Sequence, residues 1–268
     1  MLIAQISDTH VASSSKKAYG VAPTADNLKI CVDNINQLDP KPDLVLLTGD
    51  ITNASLREEY DLAFALLNKL DMLYFVIPGN HDDRIKTKLI FNKHCPAVST
   101  PQNFIQYVVD DYDIRLIAMD STTPNEAGGE LCESRLAWLD GQLEKDTDKP
   151  TIIFMHHPPI KVGVIETDID GFIGANKLGE IVKKYNNIEQ IICGHVHLQT
   201  HTRCHGTVVT TAPSVGMELV LDLTLKKPPQ FVIEPPSYLL HYWTPYNNLV
   251  THTISARKTD GPYLFKEQ

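Results

Sequence analysis

Five short stretches of the sequence combine histidine, aspartate and asparagine at spacings that suit the binding of metal ions. They are "SDTH" (7–10), "TGD" (48–50), "PGNHDD" (78–83), "MHHPP" (155–159) and "CGHVH" (193–197). In the first and last stretches two candidate ligands stand two residues apart, so in extended backbone their side chains leave on the same side. Glycine precedes Asp50, Asn80 and His195. A glycine lets the backbone turn sharply and pass close to an ion.

The candidate ligands offer carboxylate, amide and imidazole groups, with no cysteine among them. They are Asp8, His10, Asp50, Asn80, one histidine of the His156–His157 pair, His195 and His197. Mixed nitrogen and oxygen donors suit Zn, Mn, Fe, Co or Ni better than Ca or Mg alone. Seven ligands exceed what one tetrahedral ion needs, whereas two ions sharing one carboxylate would use them all. A single Gly-Asp pair is more typical of a turn, but five such stretches in one chain favour a common site.

The candidate ligands follow short apolar runs, which are typical of buried β-strands. The predicted strands cover residues 2–7, 43–49, 73–79, 114–120, 151–157 and 189–195. Helical patterns alternate with most of them, over residues 24–38, 55–70, 132–145 and 174–185. The pattern Ser55-x-x-Glu58 predicts a capping box at the start of the second helix. This alternation predicts an α/β fold with largely parallel strands, in which ligands bind at the carboxyl ends of the strands.

Two other segments have a different pattern. Residues 103–120 predict a hairpin around an Asp-Asp-Tyr-Asp turn, and residues 200–213 predict a second hairpin. The helical period fades after about residue 200, and residues 225–254 are rich in proline and aromatic side chains. Paired prolines confine strands to sheet edges and turns. We therefore predict a core over residues 1–200, followed by residues 201–268, which end the core sheet and add a β-rich cap or dimerisation segment.

Composition excludes some classes of function. The 268-residue chain has a formal net charge of −9, which argues against binding a nucleic-acid duplex. Its five cysteines are scattered without a C-x-x-C pair, as expected for free thiols in a reducing compartment. No targeting segment is apparent and no apolar run approaches the length of a membrane span. We expect a cytoplasmic protein that does not bind membranes.

The five stretches, taken in order, resemble a known family. Asp-x-His, Gly-Asp, Gly-Asn-His-Asp, His and Gly-His-x-His, spread over residues 7–197, resemble the calcineurin-like metallophosphoesterases. The tighter forms "ISDTH", "PGNHDD", "FMHHPP" and "CGHVH" are similar to bacterial class III cyclic-nucleotide phosphodiesterases and their glycerophosphodiesterase relatives. The resemblance implies a calcineurin-like four-layer αββα sandwich with a β-rich C-terminal cap or oligomerisation portion. It also implies a homo-oligomer, a dimer or larger.

The same resemblance implies an activity and a role for each candidate residue. The expected activity is hydrolysis of small phosphodiesters, either 3',5'-cyclic nucleotides or glycerophosphodiesters, by attack of a metal-bound hydroxide. One divalent ion would bind Asp8, His10 and His197, a second would bind Asn80, His156 and His195, and Asp50 would bridge them. The ions would be Fe, Mn, Zn or Co. His81 would face the phosphate without binding a metal, as a hydrogen-bond donor or as the leaving-group acid, and Asn53 would contact the phosphate. His157 and Asp82 would orient the ligands.

Several alternatives stay open at this point. A broad-specificity phosphomonoesterase is one, although plant-type purple acid phosphatases have tyrosine where this chain has Asn53. A nucleotide pyrophosphatase would share the core motif. A metal-binding scaffold protein is the non-enzymatic alternative, and the intact ligand positions disfavour it. We expect the loop 161–172 and the C-terminal strands to determine which diester fits.

Overall fold

The computed structural model describes residues 1–14, 16–99, 103–224, 226–257, 259–261 and 263–265. Within these ranges the chain forms fifteen β-strands and six α-helices. The strands are β1 (Leu2–Ile6), β2 (Leu44–Thr48), β3 (Leu73–Ile77), β4 (Tyr107–Val109), β5 (Arg115–Met119), β6 (Gly129–Glu130), β7 (Thr151–Met155), β8 (Phe172–Ile173), β9 (Ile188–Cys193), β10 (Thr200–Cys204), β11 (Thr207–Thr211), β12 (Glu218–Leu219), β13 (Phe231–Val232), β14 (Ser237–Trp243) and β15 (Leu249–Ser255). The helices are α1 (Thr24–Asn36), α2 (Arg57–Leu67), α3 (Arg84–Phe91), α4 (Glu133–Leu143), α5 (Ile165–Asp170) and α6 (Ala175–Val182).

Two main sheets contain most of these strands. The first has the order β15-β14-β1-β2-β3. Strands β1, β2 and β3 are parallel, β14 pairs antiparallel with β1, and β15 pairs antiparallel with β14. The second has the order β10-β11-β9-β7-β5-β4, with β5, β7, β9 and β11 parallel. Strands β4 and β10 pair antiparallel at its two edges. Both predicted hairpins, over residues 103–120 and 200–213, are confirmed.

The sheets pack face to face with helices on their outer sides. Buried side chains of α1, α2 and α3 share one apolar cluster with the first sheet and with Leu116 and Ala118 of β5. The alternate β5 residues, Ile117 and Met119, instead pack with α4 and α6 in a second cluster. Because successive strand residues face opposite sides, this division places the layers in the order helix, sheet, sheet, helix. The predicted four-layer αββα sandwich is confirmed.

The second helix begins differently from the capping box predicted at Ser55. Helix α2 starts at Arg57, and Ser55 has a φ of 55°, outside the helical region. The carboxylate of Glu59 accepts hydrogen bonds from the backbone N–H groups of Ala54 (2.8 Å) and Leu56 (3.1 Å). The Ser55–Glu58 assignment was therefore wrong by one residue. Ser55 adopts a left-handed backbone conformation, so the helix begins one residue later than predicted and Glu59, instead of Glu58, caps it.

The C-terminal residues continue both sheets. In the described part of the chain no helix follows α6, as the fading helical period indicated. Strands β10 and β11 extend the second sheet and β14 and β15 extend the first, whereas β12 and β13 form a small separate ribbon. Residues 161–172, expected to be a loop, contain the short helix α5, and Asp168 accepts hydrogen bonds from the N–H groups of Val162 and Gly163. None of the described helices combines the length and apolar character needed to cross a bilayer.

Candidate metal centre

The candidate ligands converge at one edge of the sandwich, where strands of both sheets end. Asp8 follows β1, Asp50 follows β2 and Asn80 follows β3, while His156 follows β7 and His195 follows β9. Backbone hydrogen bonds tie the loops together: His10 N–H donates to the Asp50 carbonyl at 2.9 Å. Because both sheets present their carboxyl ends here, ligands far apart in sequence become neighbours.

The first donor set consists of Asp8, His10, Asp50 and His197. One donor atom from each lies within 4.8 Å of the others. The Nε2 atoms of His10 and His197 are 3.0 Å apart, and His197 Nε2 is 3.5 Å from Asp8 Oδ1. Asp8, His10 and Asp50 are buried. Two imidazole nitrogens facing each other beside two carboxylates form an arrangement that a cation satisfies.

The second donor set is arranged around the Asn80 amide. Asn80 Oδ1 lies 3.1 Å from His156 Nε2 and 3.1 Å from His195 Nδ1. The ring nitrogens of His156, His157 and His195 also cluster. His157, however, is already engaged: its Nδ1 is 2.9 Å from Ser121 Oγ, and its Nε2 donates to the Ala127 carbonyl. His157 therefore orients its surroundings, whereas Asn80, His156 and His195 offer donor atoms to one point.

A single oxygen atom joins the two sets. Asp50 Oδ2 lies 3.5 Å from His10 Nε2 in the first set and 3.3 Å from His156 Nε2 in the second. Its other oxygen, Oδ1, accepts a hydrogen bond from the backbone N–H of His81 at 2.8 Å. The structure thus brings together all seven predicted ligand positions, with Asp50 between the two groups.

Backbone carbonyls hold two of the imidazoles in one tautomer. His156 Nδ1 donates to the Thr48 carbonyl at 2.8 Å, and His197 Nδ1 donates to the Met217 carbonyl at 3.0 Å. Nε2 is then the nitrogen of each ring that faces the other donors, as in metal sites whose ligands are oriented by outer hydrogen bonds, and a metal ion would take the place of the Nε2 proton of His156. The donor chemistry and the fixed tautomers fit a divalent transition-metal ion. Sequence patterns did not indicate these two carbonyls, because a backbone acceptor has no residue preference.

Burial and charge set the protonation of the centre. Burial alone would raise the pKa of Asp50, but the neighbouring His156 holds that pKa well below its usual value. Burial alone would lower the pKa of His156, but the Asp50 carboxylate raises it to about 9. Burial lowers the pKa of His195 to about 3 and that of His10 well below its usual value. His10 and His195 are therefore neutral near pH 7, with lone pairs available for a metal.

The backbone at the ligands is strained. Five non-glycine ligands have positive φ angles: Asp8 (52°), His10 (40°), Asp50 (49°), His195 (70°) and His197 (58°). Each such residue costs of order 1–3 kcal/mol, and this cost is tolerated where the surrounding structure fixes the backbone. The concentration of strain at this one edge marks it as a functional site.

Close backbone approach explains two of the glycines that precede ligands. A Cβ on Gly79 would lie 2.2 Å from Asp50 Oδ1, and one on Gly194 would lie 2.0 Å from Ser7 Oγ and 2.7 Å from Asp8 Oδ2. No side chain fits in that space. Both glycines therefore allow a close approach to neighbouring side chains, and the predicted approach to an ion stays a prediction.

His81 and Asn53 lie beside Asp50 and His10. The rings of His81 and His10 are 4.6 Å apart, and His81 Nδ1 donates to the Asn53 carbonyl at 2.8 Å. The second ring nitrogen, Nε2, thereby remains available for a substrate. The side-chain Oδ1 of Asn53 is buried and has no hydrogen-bond partner among the described residues, so its amide has capacity to bind a ligand.

Asp82 braces the loops that carry Asp50 and Asn80. Its carboxylate accepts hydrogen bonds from the N–H groups of Ile51 (2.9 Å), Thr52 (3.0 Å) and Gly79 (3.0 Å). Burial and the nearby Asp50 charge raise its pKa to about 6. The hydroxyl of Thr52 also donates to it at 2.9 Å, so Asp82 fixes the relative position of the Asp50 and Asn80 loops, in agreement with an orienting role.

Comparison with known proteins agrees with this geometry. A family model described as calcineurin-like phosphoesterase matches residues 1–199. The chain belongs to this family. A probable glycerophosphodiester phosphodiesterase GpdQ of Arcobacter nitrofigilis is 40% identical over 266 residues, which cover 99% of this chain and 97% of that relative. A 3',5'-cyclic-nucleotide phosphodiesterase of Nostoc is 29% identical over 79% of this chain and 77% of its own length. The crystal structure of a dimetal phosphatase from Danio rerio has a TM-score of 0.64 at 15% identity, covering 96% of this chain and 99% of that one, and it supports the fold alone.

We expect Gly79→Ala to weaken metal binding. Its new Cβ would lie 2.3 Å from Asp50 N as well as against Asp50 Oδ1, so Asp50 must move. Disturbing a residue that orients ligands typically costs about 10–100-fold in metal affinity. Metal content after dialysis, measured by inductively coupled plasma mass spectrometry, tests this. Gly141→Ala is the matched control, because nothing lies within 4 Å of the new Cβ. Equal metal content in the two variants would show that the close approach is not required.

Proposed function

We propose that the protein is a phosphodiesterase with two divalent ions, one held by Asp8, His10 and His197 and the other by Asn80, His156 and His195. The position of Asp50 Oδ2, 3.5 Å from a nitrogen of one donor set and 3.3 Å from a nitrogen of the other, carries this proposal. A carboxylate oxygen within reach of both sets is the arrangement that a shared ligand requires. The mixed N/O donors suit Fe, Mn, Zn or Co.

The residues around the centre have separate tasks in this proposal. Bound divalent ions supply a nucleophile by lowering the pKa of water and stabilise charge on the phosphoryl oxygens. Asn53 contacts the phosphate through its Nδ2 donor, since its buried Oδ1, which has no partner among the described residues, can only accept. His81, held through Nδ1 by the Asn53 carbonyl, presents Nε2 to the departing oxygen and transfers a proton to it. Asp82 holds the Asp50 loop and the Asn80 loop in fixed positions relative to each other.

A small phosphodiester is the substrate class that we favour. Two relatives are named as a glycerophosphodiester phosphodiesterase and a 3',5'-cyclic-nucleotide phosphodiesterase, and the first covers nearly the whole of this chain. Two dications opposite two carboxylates leave a net positive centre, which attracts a singly charged diester. The complete donor set supports an enzyme over a scaffold.

The metal requirement is tested first with the wild-type protein and Asp50→Ala. We expect wild-type protein reconstituted with Mn, Co or Zn to hydrolyse bis(4-nitrophenyl) phosphate, and Asp50→Ala to lose metal from one or both sites together with turnover. Asp61→Ala, at a half-exposed position on α2, is the control and should retain both. Absence of hydrolysis by the wild type with every metal would favour the scaffold alternative. Two full sites in Asp50→Ala would refute the bridge.

His81→Ala should retain the metals but lose rate. The backbone N–H of His81 still reaches Asp50 in this variant, so the centre is preserved. Loss of a general acid costs about 10²–10⁴-fold. The full loss is expected for alkyl esters, which leave poorly, and a smaller one for nitrophenyl esters, which leave without help. Rates on both classes, with exposed His201→Ala as the control, test this. An equal loss on the two classes would contradict the acid role.

Two properties of the whole protein are part of the proposal. We infer a cytoplasmic, reducing environment from the five free thiols, all of which lie in the described ranges.

We also infer a homo-oligomer that uses the C-terminal strands, since β15 is an edge strand and Leu221, Leu223 and Tyr246 are exposed. Sedimentation velocity tests the assembly, and a monomer at micromolar concentration would contradict it.

A further inference from the structure

His157 lies beside the second donor set without belonging to it. Its ring centroid is 4.7 Å from that of His156 and 4.6 Å from that of His195. One ring nitrogen of each of these three residues lies within 4.8 Å of the other two. Three imidazoles bind a single ion in some zinc sites. His157 is therefore close enough to be a further ligand of the second ion, in addition to Asn80.

Hydrogen bonds occupy both ring nitrogens of His157. The carbonyl of Ala127, 3.0 Å from Nε2, can only accept, so Nε2 carries the proton. In the neutral ring Nδ1 then accepts, and the Ser121 hydroxyl donates to it at 2.9 Å. The same hydroxyl oxygen accepts the backbone N–H of His157 at 3.1 Å. Ser121 thus holds His157 at two points and occupies the lone pair that a metal ion would need.

The register of the second sheet places Ser121 next to His157. Strands β5 and β7 are parallel, with Met119 paired to Met155, and Ser121 and His157 each follow two residues later. Ser121 is fully buried, and its carbonyl accepts the N–H of Glu130 at 2.9 Å. The position of the Ser121 hydroxyl is therefore set by the sheet and not by an exposed loop.

Close packing limits where the His157 side chain can go. A Cβ on Gly129 would lie 2.5 Å from His157 Cβ and 2.8 Å from its Cγ, so the Gly129 backbone lies directly against this side chain. The rings of His156 and His195 lie beside it. Once the Ser121 hydroxyl is removed, a cation bound by those two rings is a group that could satisfy the Nδ1 lone pair.

We propose that Ser121 is a positioning residue that keeps His157 out of the coordination sphere of the second ion. The inference rests on the proposed function, since it requires an ion held by Asn80, His156 and His195. Catalytic metal sites keep a position open for the substrate, whereas structural sites are closed by protein ligands. With His157 bonded to Ser121, the second ion keeps a position for a phosphate oxygen. With His157 as a ligand, that position would be filled.

The test uses the visible spectrum of the cobalt(II)-loaded protein, because the absorption of Co(II) weakens as its coordination number rises. Wild-type protein, Ser121→Ala, His157→Phe and the double variant are compared, and the metal content of each is measured. Exposed Ser134→Ala, on α4, is the matched serine control. Values of kcat and KM for bis(4-nitrophenyl) phosphate are recorded on the same samples.

We expect Ser121→Ala to keep both ions, to absorb more weakly than the wild type and to lose about 10–100-fold in kcat, as is typical when an outer partner of a metal site is removed. His157→Phe should keep the wild-type spectrum, because it removes no ligand. The double variant should return to that spectrum. Ser134→Ala should match the wild type in every measurement.

The inference is overturned if Ser121→Ala has the wild-type spectrum. It is also overturned if the double variant keeps the altered spectrum, since the change would then not involve His157. A changed spectrum in His157→Phe would show that His157 is already a ligand, and this variant keeps the inference falsifiable should Ser121→Ala not fold. Two ions and hydrolysis in the wild type leave the proposed function intact in these cases. A single ion in the wild type overturns both.

Discussion

The Asp50 carboxylate is the group on which the rest of the centre depends. It is buried, its Oδ2 faces nitrogens of both donor sets, and its Oδ1 accepts the His81 N–H. Because His10 belongs to a loop of the first sheet and His156 to one of the second, the carboxyl ends of the strands in both sheets must lie side by side for Asp50 to reach both. The face-to-face packing of the two sheets meets this requirement, since it brings five strand ends to one place.

This convergence has an energetic cost that the fold has to offset. Left-handed backbone at Asp8, Asp50 and three histidine positions is unfavourable, and buried imidazoles and carboxylates lose hydration. The opposing contribution comes from apolar burial, at roughly 1.5–3 kcal/mol for each fully buried large side chain. Strands β2 and β7 are buried along their whole length, so a well-packed core directly precedes the strained residues. A bound cation would offset part of this energetic cost by coordinating the converging donor atoms.

The sequence was sufficient to predict the six long parallel strands and the convergence of the candidate ligands at their carboxyl ends. Apolar runs that end in Asp50 or His195 place those residues at strand ends. The extended backbone assumed for "SDTH" and "CGHVH" was wrong, because Asp8, His10, His195 and His197 all have positive φ angles. His195 and His197 consequently face different donor sets. The sequence was also not sufficient for the hydrogen bonds that orient the ligands. The acceptors for His156 and His197 are carbonyls of Thr48 and Met217. Any residue could supply a carbonyl there, so no side-chain pattern marks it. The shifted cap at Glu59 has a similar cause, because the left-handed turn at Ser55 depends on tertiary packing.

A buried chain of polar groups connects the C-terminal hairpin with the centre. His241 of β14 donates through Nε2 to Gln5 Oε1 at 2.9 Å, and Gln5 Nε2 donates to Thr48 Oγ1 and to the Cys193 carbonyl, each at 3.0 Å. Burial lowers the pKa of His241 to about 3, so the ring is neutral and its two nitrogens have distinct roles. Thr48, whose carbonyl orients His156, is thus held from β1, and β1 is held from β14. An unsatisfied group anywhere along this chain would be costly, because no water reaches it. The strands after residue 200 therefore take part in positioning a ligand that lies far from them in sequence.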